Sequence, residues 1–168
     1  SLGRIWHHTQ HNTIAAITAF RSEHTYKTNV SRNKQLERAI RASGFGFVKV
    51  TGHYIEGTGT ADAKKVIEES FIIISKPEDA GRLKGFIRAQ GRVWEQDSVL
   101  YKERGEKAVL IGTKTGVWSG MGTEVVVGDW KPNRVSDYFT KMKGGRTFVF
   151  ESVKEEPNAL TLGYGPKN

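Results

Sequence analysis

Side chains able to transfer protons stand on either side of a segment rich in glycine and threonine. His53 precedes this segment, and Glu68 and Glu69 follow it at the start of an apolar stretch. Imidazole and carboxylate groups are the usual general acids and bases of enzymes. His53, Glu68 and Glu69 are therefore the candidate catalytic residues. Each also has an ordinary structural alternative, either a loop histidine or a carboxylate paired with an arginine.

A second group of side chains is suited to binding an anion. Its members are Arg21, Arg32, Asn33, Lys34, Arg38 and Arg41. Guanidinium groups can hold a phosphate through two hydrogen bonds, and the first turn of a helix attracts negative charge. Three alternatives stay open: a solvated basic helix face, an ion pair of Arg32 with a glutamate, and an asparagine bonded to a neighbouring loop.

The predicted elements bring both groups to one edge of a sheet. Hydrophobic patterning predicts a strand at 14–20, a helix capped by Thr28 or Asn29 that ends before Gly44, and a strand at 66–75 after a loop. The whole pattern predicts an α+β fold. Its single mixed or antiparallel sheet begins in ferredoxin-like βαββαβ order and continues into a strand-rich C-terminal extension, with helices mainly on one face. A right-handed crossover through the first helix then gathers the candidate residues at one edge.

Length and composition narrow the class of protein. The chain has 168 residues, a net charge of +8 and no cysteine. This length suits one domain, which we place at 1–154, with a loose tail at 155–168. The missing cysteines exclude disulfide scaffolds, Cys-ligated zinc and thiol catalysis. The first 60 residues carry a net charge of +5, so the positive charge is concentrated around the first helix.

Several motifs fall short of a functional assignment. His7 and His11 would meet on a helix, but no carboxylate lies near them in the sequence, and we expect no metal. Residues 44–49 match part of an RNA-binding signature, yet they follow the first helix directly, where that fold has a different strand. The glycines between 112 and 122 form no phosphate-binding motif, and we expect no cofactor. No secretory signal or membrane-spanning run is evident, which favours the cytoplasm.

Several segments carry a resemblance to a known family. They are 17–20, the helix positions Asn29, Arg32, Asn33 and Leu36, and the stretches 68–71 and 96–99. Over about residues 14–100 the sequence resembles an uncharacterised family of small bacterial and phage proteins, a domain of unknown function. The resemblance implies a compact α+β fold and is compatible with phage origin, but it implies no activity.

The concentrated positive charge favours a binding function. We predict a basic, non-enzymatic protein that binds an anionic ligand, either nucleic acid or a nucleotide, as a phage accessory factor acting on host machinery. Two alternatives stay open: a small nucleotide-directed phosphoryl- or glycosyl-transfer enzyme, and a virion or protein-interaction module. The expected partners are nucleic acid or a nucleotide, with an acidic host protein as a further option and no membrane. The expected location is the bacterial host cytoplasm.

Overall fold

The structure is a computed structural model that describes residues 2–56 and 64–155. The helices within this part of the chain are α1 (Leu2–His11), α2 (Tyr26–Ser43), α3 (Ala80–Val93) and α4 (Val135–Met142). The strands are β1 (Thr13–Ile17), β2 (Gly46–Glu56), β3 (Lys64–Ser75), β4 (Ser98–Lys102), β5 (Ala108–Gly112), β6 (Glu124–Gly128) and β7 (Phe148–Glu155). Short 3-10 turns at Pro77–Asp79 and Pro132–Arg134 lead into α3 and α4. None of these helices is both long and apolar enough to cross a membrane.

The strands form one antiparallel sheet of order β6-β5-β4-β1-β3-β2-β7. Its central part, β4-β1-β3-β2, is the ferredoxin-like arrangement, and β1 lies between β3 and β4 with Ile17 opposite Phe71. The later strands extend this unit on both sides, since β5 and β6 follow β4 while β7 pairs with β2. The predicted fold class is confirmed, including the strand-rich C-terminal part.

Several predicted boundaries differ from the structure. The predicted loop before residue 66 is strand at both of its ends, because β2 and β3 pair from Gly46 and Ile74 out to Glu56 and Lys64. A long hairpin supplies ladder hydrogen bonds that outweigh the weak strand preference of glycine. Residues 57–63 lie outside the described part of the chain. So does the predicted tail apart from its first residue, which ends β7, and the domain limits stay predictions.

Helices cover both faces of the sheet, although the sequence pattern predicted helices mainly on one face. Leu36 of α2 and Leu83 of α3 pack on the face that carries Phe71 and Ile73. The opposite face packs against α1 and α4 through three aromatic side chains, Trp6, Tyr138 and Phe139. Successive residues of a strand point to opposite faces, so the uninterrupted apolar half of β3 needs cover on both sides.

Helix α2 begins and ends at defined caps. Thr25 is the N-cap, and its hydroxyl accepts a hydrogen bond from the backbone N–H of Thr28. The predicted cap at Thr28 or Asn29 is therefore wrong by one turn. Gly44 ends the helix at a φ of 84°, a conformation that glycine adopts without strain. The buried face of α2 includes Asn29 and Asn33, which leaves their amides free to bond to the segment that follows β1.

Candidate functional site

Two neighbouring cavities lie where β1 ends. The larger has a volume of about 380 Å³ and is lined by Phe20 and Tyr26, by Arg21 and Arg146, and by the buried Glu68. The smaller has a volume of about 90 Å³ and shares both arginines with the first. We call the two cavities together the cleft. A pocket of this size, with aromatic walls and a few charged groups, suits a small molecule.

The smaller cavity is lined almost entirely by charged side chains. Arg21, Lys143 and Arg146 supply positive charge, and Glu23 and Asp97 supply negative charge. Arg21 holds both acids near it, with its Nε 2.6 Å from Glu23 Oε2 and its Nη1 4.0 Å from Asp97 Oδ1. Cations and carboxylates therefore face the same small space.

A buried ion pair lies beneath the cleft. The Nζ of Lys143 is 3.3 Å from Oε1 of Glu68, and the two side chains are only 9% and 4% exposed. Burial raises the pKa of Glu68, against the opposing charges of Lys143 and Arg146. Burial likewise lowers the pKa of Lys143, against the charge of Glu68. For both groups, the cost of leaving water therefore exceeds what the partner charge returns.

Lys143 also forms hydrogen bonds to two other segments beneath the cleft. Its ammonium group donates to the backbone carbonyl of Phe20 at 2.9 Å and to Oε1 of Gln96 at 3.1 Å. The side-chain amide of Gln96 donates to the same Phe20 carbonyl at 3.2 Å. One lysine thus joins β3, the segment after β1 and the segment before β4.

The amides of α2 hold the segment that leaves β1. Asn29 Oδ1 accepts from the backbone N–H of Arg21 at 2.9 Å, and its Nδ2 donates to the carbonyl of the same residue at 3.0 Å. Asn33 Oδ1 accepts from the N–H of Ala19 at 2.8 Å, while its Nδ2 donates to the carbonyl of Glu69 at 2.8 Å. These bonds replace strand pairing, so β1 ends at Ile17 rather than at residue 20.

Arg32 also holds the segment that follows β1. Its Nε donates to the carbonyl of Ala19 at 2.8 Å, and its Nη2 donates to the carbonyl of Trp94 at 2.9 Å. The guanidinium group also lies 5.1 Å from the centre of the Trp94 ring. Burial lowers the pKa of Arg32, and its donors are directed to protein carbonyls. The structure thus gives Arg32 a clamping role at the edge of the cleft.

Arg146 lines both cavities and rests on the ring of the buried Tyr54. The guanidinium group of Arg146 lies 4.5 Å from the centre of the Tyr54 ring. Burial raises the pKa of Tyr54 well above its ordinary value, and the charge of Glu68 adds to that rise. A cation over the face of a ring is attracted to it electrostatically.

The three candidate catalytic residues have different surroundings. Glu68 lies in the cleft, whereas Glu69 contributes its backbone carbonyl, which accepts from Thr18 and Asn33. His53 is buried between β3 and β7, where its Nδ1 is 3.5 Å from Oε1 of Glu151. Strand alternation sets Glu69 on the face opposite to Glu68. A catalytic role for any of the three stays a prediction.

The candidate anion-binding residues separate into two sets. Arg21 lines both cavities, while Arg32 and Asn33 bond to protein groups beside them. The others, Lys34, Arg38 and Arg41, are exposed on α2. The Nε of Arg41 lies 3.0 Å from Oε2 of Glu37. Anion binding by this set stays a prediction.

The cleft residues that come from the C-terminal part of the chain were not predicted from the sequence. Lys143 and Arg146 lie about 75 residues after Glu68 and flank two glycines, in no recognisable motif. Phe20 and Tyr26 were visible as aromatic residues beside the predicted site, which was a usable signal. Within residues 2–56 and 64–155, no group of three or more His, Asp or Glu side chains is placed to hold a metal ion.

A comparison with known protein families identifies the chain. The sequence profile of the S-adenosylmethionine lyase family matches residues 15–151, which is most of its length. No individual curated protein matches. Lyases are enzymes, so the predicted non-enzymatic binder of nucleic acid or a nucleotide is wrong. Neither the transferase alternative nor the virion or interaction module agrees with the match.

The resemblance to a family with no assigned activity is corrected in the same way. A recognised family covers the segments that carried that resemblance and extends beyond them to β7. It also covers every residue named above as lining the cleft. The chain therefore belongs to the S-adenosylmethionine lyase family.

Proposed function

We propose that this chain cleaves a carbon–sulfur bond of S-adenosylmethionine without adding water, and that the reaction takes place in the cleft at the end of β1. The observation that carries the proposal is the family match over residues 15–151. The cleft supports it, because its two cavities differ in the same way as the two halves of this substrate. One half is an adenosine and the other is a charged amino acid.

The larger cavity fits the adenosine half. Adenine is a flat aromatic ring, and Phe20 and Tyr26 supply aromatic side chains in T-shaped contact, with ring centres 6.0 Å apart. Tyr26 is 55% exposed, so its ring is available to a ligand. The volume of about 380 Å³ lies within the range of roughly 300–1,000 Å³ that small-molecule sites occupy.

The smaller cavity fits the amino-acid half. An α-amino acid carries a carboxylate and an ammonium group close together at neutral pH. Arg21 and Arg146 are suited to the carboxylate, and Glu23 and Asp97 are suited to the ammonium group. A site lined by both signs of charge selects a zwitterion over a simple anion.

The sulfur of the substrate carries a positive charge, and this decides what the protein has to supply. When a carbon–sulfur bond breaks, the electron pair returns to sulfur and a neutral thioether leaves, so the leaving group needs no proton donor. The carbon that loses the sulfur must then form a new bond to another atom of the substrate. Either the substrate's own carboxylate oxygen attacks it, or the neighbouring carbon gives up a proton to a base and a double bond forms.

Glu68 is the buried carboxylate available for either route. In the first route its negative charge binds and orients the sulfonium before the carbon–sulfur bond breaks, and in the second it accepts the proton. Burial raises its pKa, which makes the carboxylate a stronger base than an exposed glutamate. Lys143 keeps it oriented from the protein side of the cleft.

The direct test is to incubate the purified chain with S-adenosylmethionine and follow the products by liquid chromatography and mass spectrometry. We expect a thioether and a second product, and neither product should have gained a water molecule. Glu68→Gln is expected to lower kcat/KM by about a hundredfold or more. Arg146→Met is expected to act mainly by raising KM.

The matched control is Arg38→Met, which removes an exposed cation from α2 outside the cleft. Its kcat/KM is expected to stay within about twofold of the unchanged chain. The proposal fails if the unchanged chain leaves the substrate intact, or if the products carry the elements of water. The location in the cleft fails if Arg38→Met and Glu68→Gln reduce activity equally.

Other expectations stand apart from this activity. An acidic host protein as a partner, phage origin and a cytoplasmic location stay predictions, and each needs its own test. Capture of a host protein by the tagged chain from a bacterial extract, with the Lys34, Arg38 and Arg41 charges removed as a control, addresses the first.

A further inference from the structure

A second cavity of about 380 Å³ lies at the other end of β1, between α1, the β4–β5 turn and the segment after β6. Its lining includes Trp6, Gln10, Lys102 and Trp130. Lys102 pairs with Ile14 near the start of β1, whereas the cleft opens after the end of that strand. The length of β1 therefore separates the two sites.

Lys102 is a buried cation without a balancing charge. The residue is 4% exposed, and its Nζ donates to the backbone carbonyl of Thr9 at 3.3 Å. No acidic side chain in the described part of the chain forms an ion pair with it, and burial alone lowers its pKa. A buried ammonium group with a single long hydrogen bond lacks acceptors for its remaining protons.

The aromatic side of this cavity is held firmly. The Trp6 and Trp130 rings stack with centres 5.1 Å apart, and the Tyr138 ring also stacks on Trp130 with centres 5.8 Å apart. The Trp130 Nε1 donates to Thr9 Oγ1 at 3.0 Å, and Gln10 Nε2 donates to the Trp130 carbonyl at 3.2 Å. These contacts hold helix α1 against Trp130, so the stacked Trp6 and Trp130 rings form a preorganised surface.

We propose that this cavity is a second ligand site, which takes a small planar aromatic molecule bearing one anionic group. The anionic group pairs with Lys102 and supplies the charge and the acceptors that the described part of the chain does not. The flat part of the ligand lies against the Trp6 side of the indole stack. Asp129 and Glu106 lie at the same cavity and disfavour ligands with several negative charges.

The experiment compares 2-naphthoate with its neutral amide, 2-naphthamide, by isothermal titration calorimetry on the full chain. We expect the naphthoate to bind at least about tenfold more tightly, because a charged hydrogen bond in a buried site has that worth. Lys102→Met is expected to remove this difference. Lys141→Met, which changes an exposed lysine of α4 outside this cavity, is expected to leave it within about twofold.

Trp6→Leu gives an independent readout, since it removes a stacked ring while leaving the charge in place. It is expected to weaken naphthoate and naphthamide alike, by about fivefold. Equal binding of the two compounds to the unchanged chain overturns the proposal, as does undiminished naphthoate binding by Lys102→Met or no binding at millimolar concentration. Displacement of naphthoate by S-adenosylmethionine overturns the claim of a separate site. None of these results depends on lyase activity.

Discussion

Replacing Lys143 by methionine removes the cation from the buried pair beneath the cleft while keeping a side chain of similar length. Glu68 then lies 3% exposed without the ammonium group that stood 3.3 Å from it. Breaking a buried ion pair from one side costs about 3–5 kcal/mol, because an uncompensated charge stays behind. The carbonyl of Phe20 still accepts a hydrogen bond from Gln96, so losing the hydrogen bond from Lys143 adds little to this cost. We expect Lys143→Met to lower the free energy of unfolding by about 3–5 kcal/mol near neutral pH.

The pH dependence of this loss follows from the pKa of Glu68. Burial already raises this pKa above its ordinary value of 4.5, and it rises further once Lys143 is gone. A carboxyl group whose pKa is raised in the folded state is protonated below its ordinary pKa, so it places no buried negative charge in the fold at that pH. It destabilises the fold as the pH climbs through the window between the two values. We therefore expect the loss to be largest at neutral pH, to shrink as the pH falls towards 4.5 and to be smallest below that value.

Urea unfolding, followed by tryptophan fluorescence and by far-ultraviolet circular dichroism, measures both quantities. The control is the double variant Glu68→Gln with Lys143→Met, which removes both charges. We expect it to recover to within about 1 kcal/mol of the unchanged chain, since burial costs both partners more than their attraction returns. A loss below about 1 kcal/mol for Lys143→Met, or one that does not change with pH, refutes the reasoning.

Two further predictions concern the backbone that shapes the cleft. A Cβ on Gly52 would lie 2.1 Å from Cζ of Phe148, so Gly52→Ala is expected to cost about 1–3 kcal/mol or more in urea unfolding. The control Gly81→Ala meets no atom within 4 Å inside a helix and is expected to stabilise by about 0.5–1 kcal/mol; equal effects of the two changes would contradict the packing. Asn33→Ala removes the amide that joins the end of β1 to the carbonyl of Glu69, and we expect a loss of about 1–3 kcal/mol together with a higher KM. An Asn33→Ala chain with unchanged stability and KM would show that this amide does not position the cleft.

Local features of the sequence predicted much of the fold. The apolar stretch of β3, the glycine that ends α2 and the alternation of helices and strands were sufficient for the ferredoxin-like start. They were sufficient because they act over a few residues, where burial and backbone geometry are decided locally. The same reasoning set Glu68 and Glu69 on opposite faces of their strand.

Charge was a poor guide to function. A net charge of +8 favoured a nucleic-acid partner, but the sum does not say where each cation lies. In the structure, Arg32 is directed at backbone carbonyls and Lys143 at a buried carboxylate. Lys34 lies exposed on α2. Side chains that count equally in the net charge therefore have three different roles, and only their surroundings distinguish them.

By itself, the sequence determined the order of elements from β1 onward, though not the preceding helix α1, and it indicated which side chains of α2 lie near the end of β1. The tertiary structure decided the composition of the cleft. Pairing of β7 with β2 and packing of α4 under the sheet bring Lys143 and Arg146 to Glu68 across about 75 residues. No local pattern encodes such a meeting, because the contact exists only once the apolar faces of distant elements have packed together. That long-range contact turns an isolated acidic residue on a strand into the buried carboxylate of a ligand cleft.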